Sequence, residues 1–245
     1  MSPGLWQSSS DSLAGVNRND ERVIKGMARQ QTLRESHLQQ GDRLGWKSGF
    51  GTEGAREALG IVQPLAGFLT TATCLDSGEE VDVGSWGMPL IEPEVAVRLA
   101  TNLGPGASAE DGARAIGAVA ASIELVDLGS IESVEDILAG NIFHRHVIVG
   151  EFLELEPDGL PEVRVRVTAN DSEGPWNDPR EVIGDLGQVV ASLADQADLA
   201  GDSFKAGDVV ITGAAVPPAP LGPGESYLVE TSNGSSVEAK TDSND

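Results

Sequence analysis

The sequence has little cysteine, few basic residues and no long apolar run, and each shortage excludes a class of protein. The single cysteine, Cys74, excludes an internal disulfide framework and a zinc site built from cysteines. No apolar run reaches the roughly 20 residues that a membrane-spanning helix needs. The first ten residues show neither the basic region nor the apolar stretch of a secretory signal. We therefore expect a cytoplasmic protein.

The charge is strongly one-sided, with 16 Lys and Arg against 39 Asp and Glu and a net charge of −23. A field of this sign repels phosphate backbones and anionic lipids, so nucleic acids and membrane surfaces are poor partners. Residues 1–56 nevertheless hold eight of the basic side chains and only six acidic ones. We expect this quarter either to lie against an acidic surface, of its own chain or of a neighbouring subunit, or to form a merely solvated helix.

The chain has 245 residues, which is enough for one large domain. Turn residues and apolar periodicities divide it into four parts. These are a flexible arm at 1–18, a helical N-terminal segment at 19–59, a β-rich catalytic core at 60–240 and a disordered tail at 241–245. Helices are predicted over 20–40, 108–121, 133–140 and 178–201, strands over 163–167 and 207–213, and a hairpin at Asn233-Gly234. A helical start and a β-rich remainder without regular βα alternation predict an α+β fold.

Two glutamates two residues apart stand in the apolar stretch Pro89-Leu90-Ile91-Glu92-Pro93-Glu94-Val95. In an extended strand they point to the same side, with carboxylates roughly 5–7 Å apart. Two buried anions at that distance repel each other unless a cation lies between them, and Mg²⁺ or Mn²⁺ is the natural counter-charge. The alternative is a solvated edge strand in which Pro93 blocks further pairing.

A third glutamate and a lysine share this kind of setting. Glu124 lies in the apolar run Ser122-Ile123-Glu124-Leu125-Val126, where a buried carboxylate needs a partner, and one metal ion would serve all three acids. Lys47 is one of four lysines and lies in Gly45-Trp46-Lys47-Ser48-Gly49-Phe50-Gly51. Such a glycine-rich segment lets the backbone and the ammonium approach a small anionic ligand.

Taken together, these motifs resemble the fumarylacetoacetate hydrolase superfamily, in the branch of 2-keto-4-pentenoate hydratase and 4-oxalocrotonate decarboxylase. The resemblance spans about residues 20–240 and rests on four motifs in the family's order and spacing: GWKSGFGT, IEPEVAVRL, SIELVD and GDVVITG. It implies a fumarylacetoacetate hydrolase-like fold, with a mixed-sheet core and an N-terminal helical segment. It also implies that Mg²⁺ or Mn²⁺ chelates a 2-oxo acid beside a catalytic lysine. The residues carried over are Glu92, Glu94 and Glu124 as metal ligands, Lys47 as the catalytic residue, and Lys47, Gly49, Phe50 and Asn141 around the substrate.

Three departures from the family pattern concern the groups that select substrate and reaction. The stretch Leu69-Thr70-Thr71-Ala72-Thr73 lacks the Asp that hydratases of this branch usually carry. Phe143 stands about where a Ser is common, and Gly184-Asp185-Leu186 replaces a usual Gly-His-Pro. No His–Glu pair of the superfamily's hydrolases is evident near Lys47, which disfavours hydrolysis of an acylpyruvate.

The resemblance implies a metal-dependent lyase. A hydratase that adds water to a 2-hydroxy-2,4-dienoate, giving a 4-hydroxy-2-oxo acid in meta-cleavage catabolism of aromatic compounds or steroids, is favoured because a monoanion needs only the metal and one lysine. A decarboxylase of a 2-oxo-enedioate of the 4-oxalocrotonate type is the first alternative, and a non-catalytic partner subunit is the second. The resemblance also implies a homo-oligomer and leaves open a complex with a pathway partner enzyme.

The histidines and the cysteine are expected to have no catalytic part. His144 and His146 share one face of a predicted strand, but no third metal ligand accompanies them, so packing is expected for both. Cys74 has no neighbouring histidine in the sequence to activate it as a nucleophile.

Overall fold

The structure is a computed structural model that describes residues 20–59, 61, 63–129, 133–156 and 162–243. Six α-helices are described: α1 Glu21–His37, α2 Glu53–Leu59, α3 Ala109–Ala115, α4 Val134–Ala139, α5 Arg180–Ile183 and α6 Leu186–Ala197. Short 3-10 turns cover Thr71–Thr73, Asn141–Phe143 and Asp198–Ala200. None of the described helices is long and apolar enough to cross a membrane. The predicted arm at 1–18 lies outside the described residues.

Fourteen strands within the described ranges form two sheets. The strands are β1 Arg43–Gly49, β2 Leu65–Thr70, β3 Cys74–Leu75, β4 Glu80–Val81, β5 Pro89–Leu99, β6 Ile116–Asp127, β7 His144–Val149, β8 Leu153–Glu154, β9 Val165–Ala169, β10 Ser172–Glu173, β11 Val209–Ala214, β12 Ala219–Pro220, β13 Ser226–Thr231 and β14 Ser236–Thr241. The larger sheet has the order β2-β1-β11-β5-β6-β7-β3, with β12 added to β5 and β8 to β6. The smaller sheet has the order β10-β9-β13-β14-β4.

The larger sheet is mixed, since β1–β11 and β3–β7 are parallel and the other pairs are antiparallel. It is also curled. Three strand-to-strand steps separate β1 from β6, which is about 14 Å in a flat sheet, yet the Lys47 ammonium on β1 contacts Glu124 on β6. The side chains of the concave face therefore converge on one buried volume.

The burial of the central strand β6 explains why its first residues were predicted as part of a helix. Along β6 every residue from Ala118 to Val126 is buried, because the second sheet packs on one face and side chains inside the curled larger sheet cover the other. A strand buried on both sides reads as a continuous apolar run rather than an alternating one. The predicted helix over 108–121 is thus wrong beyond residue 115: the capping box of Ser108 and Asp111 starts α3, and the chain turns into β6 at Ile116.

Other boundaries shift for similar tertiary reasons. The α+β fold with a mixed-sheet core is confirmed, as is the hairpin at Asn233-Gly234 between β13 and β14. The segment 19–59 is not purely helical, because β1 pairs with β2 and β11 inside the larger sheet. The helix predicted over 178–201 is divided at Gly184, which has a φ of 81°, into α5 and α6. Strand β14 includes Thr241, so it extends into the predicted tail, of which residues 244 and 245 lie outside the described ranges.

Basic residues in the described part of the N-terminal quarter lie against acidic groups of the same chain. Arg29 on α1 bridges to Glu135 and Asp136 at the start of α4, at 3.1 and 2.9 Å. Further along, Arg43 contacts Asp202 at 2.5 Å and Asp208 at 2.6 Å. These contacts hold α1 and β1 against the rest of the domain, and assembly into a homo-oligomer stays a prediction.

Candidate metal centre

The three glutamates predicted as metal ligands converge in the centre of the larger sheet. Glu92 and Glu124 are directly opposite each other in the antiparallel β5–β6 pair, and Glu94 lies two residues further along β5, opposite Ser122. Residues with this spacing share one face. One ligand atom from each glutamate lies within 4.8 Å of the others, and Glu94 and Glu124 are fully buried. The alternative of a solvated edge strand is therefore wrong.

Pro93 is tolerated in this central strand because it lies at a gap between neighbours. On that side of β5, β11 ends with Ala214 opposite Glu94, and β12 begins with Ala219 opposite Ile91. The carbonyl of Pro93 accepts a hydrogen bond from Ala215 there, at 2.8 Å. Because no strand pairs with β5 at this gap, the missing N–H of Pro93 leaves no hydrogen bond of the sheet unmade.

A bulge at the end of β11 provides a donor for Glu94. The β11–β5 register shifts between Ile211 and Ala214, and Gly213 adopts a φ of 99°, which glycine accommodates without strain. This conformation directs the Gly213 N–H to Glu94 Oε2 at 2.7 Å. The other oxygen, Oε1, has no hydrogen-bond partner among the described residues.

The electrostatics of the cluster call for a cation. Burial, together with the charge of Glu124, raises the pKa of Glu92 from 4.5 to about 7 against the opposing effect of Lys47. Burial followed by the charges of Glu124 and Glu92 places the pKa of Glu94 well above its usual range. Glu94 Oε1 and Glu124 Oε2 are buried without a partner in the part of the chain that is described. Clustered, partnerless carboxylate oxygens are the ligand set that Mg²⁺ or Mn²⁺ takes, so the residues present fit a hard divalent cation.

Lys47 is buried against this cluster, with 1% of the residue exposed. Its ammonium donates to Glu124 Oε1 and, at 3.0 Å, to the carbonyl of Ile142. On the neighbouring strand, Gly67 makes room for the side chain, because a Cβ there would lie 2.7 Å from Lys47 Cγ. Burial by itself would raise the pKa of Glu124, but the positive charge of Lys47 and the hydrogen bond from His144 bring it below its usual value.

The Ile142 carbonyl, which accepts the hydrogen bond from Lys47, belongs to a strained segment. Asn141, Ile142 and Phe143 have consecutive φ values of 53°, 54° and 62°, in the left-handed region that non-glycine residues seldom adopt. Such a conformation costs about 1–3 kcal/mol per residue and persists where surrounding contacts impose it. Here the hydrogen bond from Lys47 and the side chain of Asn141 impose it.

The residues predicted to surround the substrate contact this strained segment. Asn141 Oδ1 accepts from the Phe68 N–H at 2.9 Å and Asn141 Nδ2 donates to the Phe68 carbonyl at 3.0 Å, so this side chain fixes the turn to β2. Gly49 faces Ile142, where a Cβ would come within 2.5 Å of Cγ2. Phe50 meets Phe143 edge to face with ring centroids 6.5 Å apart. Direct substrate contact by these residues stays a prediction.

His144 belongs to the site, which the sequence did not indicate. Its Nδ1 lies 2.7 Å from Glu124 Oε1, its side chain is 2% exposed, and burial lowers its pKa despite the adjoining carboxylate. A register irregularity sets His144 opposite Val126 and His146 opposite Leu125, so the two histidines do not share a face as expected. His146 instead stacks on Trp86, at 6.0 Å between centroids. The apolar run around Glu124 signalled that this carboxylate needs partners, but not which residue would supply them.

No family model matches the chain. Among curated proteins, a 4-oxalocrotonate decarboxylase from Pseudomonas sp is 24% identical over 228 residues, which cover 91% of this chain and 89% of the relative. A 2-hydroxyhexa-2,4-dienoate hydratase from Comamonas testosteroni is 28% identical over 192 residues, covering 75% of this chain and 72% of the relative. The sequence is thus similar to both decarboxylases and hydratases.

Solved structures agree with these relatives. The 4-oxalocrotonate decarboxylase from Pseudomonas putida G7, complexed with magnesium and adipate, superimposes with a TM-score of 0.77 at 25% identity, over 86% of this chain and 82% of that one. The fumarylpyruvate hydrolase from Pseudomonas aeruginosa, in complex with Mn²⁺ and pyruvate, shares the fold with a TM-score of 0.63 at 13% identity, over 83% of this chain and 91% of that one. The relatives and the fold confirm the resemblance drawn from the motifs: the chain is similar to proteins of the fumarylacetoacetate hydrolase superfamily, in the branch of the 4-oxalocrotonate decarboxylases and 2-keto-4-pentenoate hydratases.

Proposed function

We propose that this chain is a divalent-metal-dependent lyase that hydrates a short 2-hydroxy-2,4-dienoate to a 4-hydroxy-2-oxo acid. The observation that carries the proposal is the buried cluster of Glu92, Glu94 and Glu124, in which the Lys47 ammonium contacts Glu124. When bound there, a divalent cation supplies Lewis acidity that stabilises negative charge on the C2 oxygen of such an acid. Relatives named as hydratase and decarboxylase support the lyase class.

Lys47 is the proton-carrying group best placed for hydration. The reaction moves the C2 hydroxyl proton and one water proton to carbon and leaves the remaining hydroxyl on C4, so a group that gives and takes protons is needed beside the ligand. The contacts of Lys47 with Glu124 and Ile142 use two of its three N–H donors. The third donor has no partner among the described residues and is available to bind the substrate carboxylate or to deliver a proton.

The surroundings of the site favour a substrate with one carboxylate and an apolar tail. The aromatic pair Phe50 and Phe143 adjoins Ile142, whose carbonyl accepts a hydrogen bond from Lys47. Two other basic residues near the motifs are already paired, Arg145 with Asp127 at 2.8 Å and Arg98 with Glu154. A second carboxylate on the substrate would have to compete with Asp127 and Glu154 for these two cations.

One basic residue supports decarboxylation of a dicarboxylate as a second candidate function. The guanidinium of Arg56 on α2 donates to the carbonyl of Gly51, next to Phe50, and has no carboxylate partner among the described residues. It is a cation that a second substrate carboxylate can engage. The Pseudomonas relative that covers 91% of this chain is named as a 4-oxalocrotonate decarboxylase, which agrees with this candidate.

Product analysis separates the two activities. The Mn²⁺-loaded enzyme is incubated in turn with 2-hydroxypenta-2,4-dienoate and with 4-oxalocrotonate, while dienoate absorbance, CO₂ and the 4-hydroxy-2-oxo acid are measured. We expect loss of dienoate absorbance with equimolar hydroxy-oxo acid and no CO₂. The Lys47→Met variant should lack this turnover, whereas Lys205→Met, which alters an exposed lysine bonded to Ser203, should retain it.

The remaining outcomes of this experiment each favour one of the alternative functions. Equimolar CO₂ from 4-oxalocrotonate without hydration of the dienoate replaces the proposal by the decarboxylase, and Arg56→Gln should then weaken binding of the dicarboxylate. No turnover of either acid by a metal-loaded protein contradicts both enzymatic functions and favours a non-catalytic partner subunit.

A further inference from the structure

His144 makes two hydrogen bonds deep inside the domain, although it is not among the three carboxylate ligands. Its Nδ1 lies 2.7 Å from Glu124 Oε1 and its Nε2 lies 2.9 Å from the hydroxyl oxygen of Thr73, in the turn that follows β2. Any buried ring nitrogen needs a hydrogen-bond partner, but one of the two partners here is a predicted metal ligand. The two contacts connect β6, β7 and the Thr71–Thr73 turn through one ring.

The partners assign the protons of the ring. An ionised carboxylate only accepts hydrogen bonds, so the proton between His144 and Glu124 is carried by Nδ1. The Nε2 of a neutral ring is then an acceptor, and Thr73 donates its hydroxyl proton to it at 2.9 Å rather than to the Thr70 carbonyl at 3.3 Å. With this placement of protons, Glu124 Oε1, both ring nitrogens of His144 and the Thr73 hydroxyl all have hydrogen-bond partners.

Glu124 consequently has two unequal oxygens. Oε1 accepts from both Lys47 and His144, whereas Oε2 has no partner among the described residues. Two donors that approach one oxygen from different strands fix the plane of the carboxylate. Outer partners of this kind orient metal ligands and tune their affinity.

We propose that His144, oriented by Thr73, is a positioning residue that holds Glu124 as a one-oxygen ligand of the divalent cation. This inference rests on the proposed metal-dependent function. Because His144 and Lys47 bind the same oxygen, Lys47 can turn toward a substrate while Glu124 stays in place. The role requires an N–H donor at the position of Nδ1, which a residue needed only for packing would not.

Titration calorimetry with Mn²⁺ and metal-free protein tests this requirement without reference to turnover. His144→Phe keeps a ring but removes both nitrogens, and we expect about 10- to 100-fold weaker Mn²⁺ binding. His144→Asn places an amide N–H near the position of Nδ1 and should recover most of the affinity. Thr73→Val should cause a smaller loss. The matched control, His146→Phe, alters a histidine that stacks on Trp86 and should leave the affinity unchanged.

The outcomes separate this inference from the proposed function. Wild-type affinity in His144→Phe, or equal losses in His144→Phe and His144→Asn, overturns the positioning role while the metal site stands. A wild-type protein that binds no Mn²⁺ overturns the proposed function and the inference with it. Should His144→Phe fail to fold, Thr73→Val and His144→Asn decide: weaker binding in the first with near wild-type binding in the second supports the role, and any other result contradicts it.

Discussion

Glu92 and Glu124 face each other as directly paired residues of two adjacent antiparallel strands, in the middle of the larger sheet. Like charges directly opposite each other destabilise a sheet pair, and burial intensifies the repulsion. Lys47 and His144 both donate hydrogen bonds to Glu124, but no cation among the described residues contacts Glu92. A bound divalent cation would convert this unfavourable pair into a ligand set.

The first prediction concerns the stability of the metal-free protein against pH. The pKa of Glu92 is raised to about 7, so between about pH 4.5 and pH 7 the folded chain holds a proton that the unfolded chain releases. Stability due to this group is therefore present at low pH and is lost as the pH rises through 7, by at most about 3 kcal/mol. Urea unfolding with chelator at pH 5 and pH 8 should show wild type losing more stability than Glu92→Gln.

Added metal provides the control for that prediction. Mn²⁺ at pH 8 should raise the unfolding midpoint of wild type more than that of Glu92→Gln, because only the folded site binds it. Parallel pH profiles for the two metal-free proteins would show that Glu92 is not protonated in the folded state.

A second prediction concerns the ligands themselves. Glu124→Gln should reduce Mn²⁺ binding from one ion per chain to none measurable, because a neutral amide replaces the anionic ligand and the repulsion that favours a cation falls. Glu154→Gln, which alters an exposed carboxylate paired with Arg98, is the matched control and should bind normally. Unchanged affinity in Glu124→Gln would exclude this residue from the site.

Lys47→Met should separate metal binding from catalysis. Removing one member of a buried ion pair typically costs 3–5 kcal/mol, so the metal-free variant should unfold at lower urea concentration than wild type. The three glutamates remain, and Mn²⁺ should bind and restore much of this stability while turnover stays absent. Turnover at the wild-type rate would show that Lys47 has no catalytic part.

The glycine beside Lys47 offers a packing test. A methyl group at Gly67 would lie 2.7 Å from Lys47 Cγ and 2.8 Å from Asn141 Oδ1, so Gly67→Ala should destabilise the chain by about 1–3 kcal/mol and reduce turnover. Gly54→Ala on α2, where a Cβ would meet nothing within 4 Å, should be neutral or slightly stabilising. Equal unfolding midpoints for the two variants would contradict the close fit around Lys47.

Local rules pointed to the three glutamates as candidates, and the family resemblance identified them as metal ligands. Strand alternation puts Glu92 and Glu94 on one face, and a carboxylate within an apolar run implies a buried partner. The contact of Lys47 with Glu124 depends on the curl of the sheet, and the resemblance placed Lys47 only near the substrate. The contact of His144 depends on a register irregularity between β6 and β7. Neither contact follows from local spacing. The start of β6 at Ile116 could not be predicted either, because a strand buried on both faces lacks the alternating pattern that identifies a strand.

The central claim is that Glu92, Glu94 and Glu124 together hold one divalent cation to which a 2-oxo acid binds beside Lys47. The most direct test is a crystal structure of the protein with Mn²⁺ and pyruvate, with data that locate manganese by its anomalous scattering. We predict one manganese peak within coordinating distance of all three glutamates, with the pyruvate carboxylate and keto oxygen on its open side and within reach of the Lys47 ammonium. Manganese bound elsewhere, or pyruvate bound away from the three glutamates, would contradict the claim.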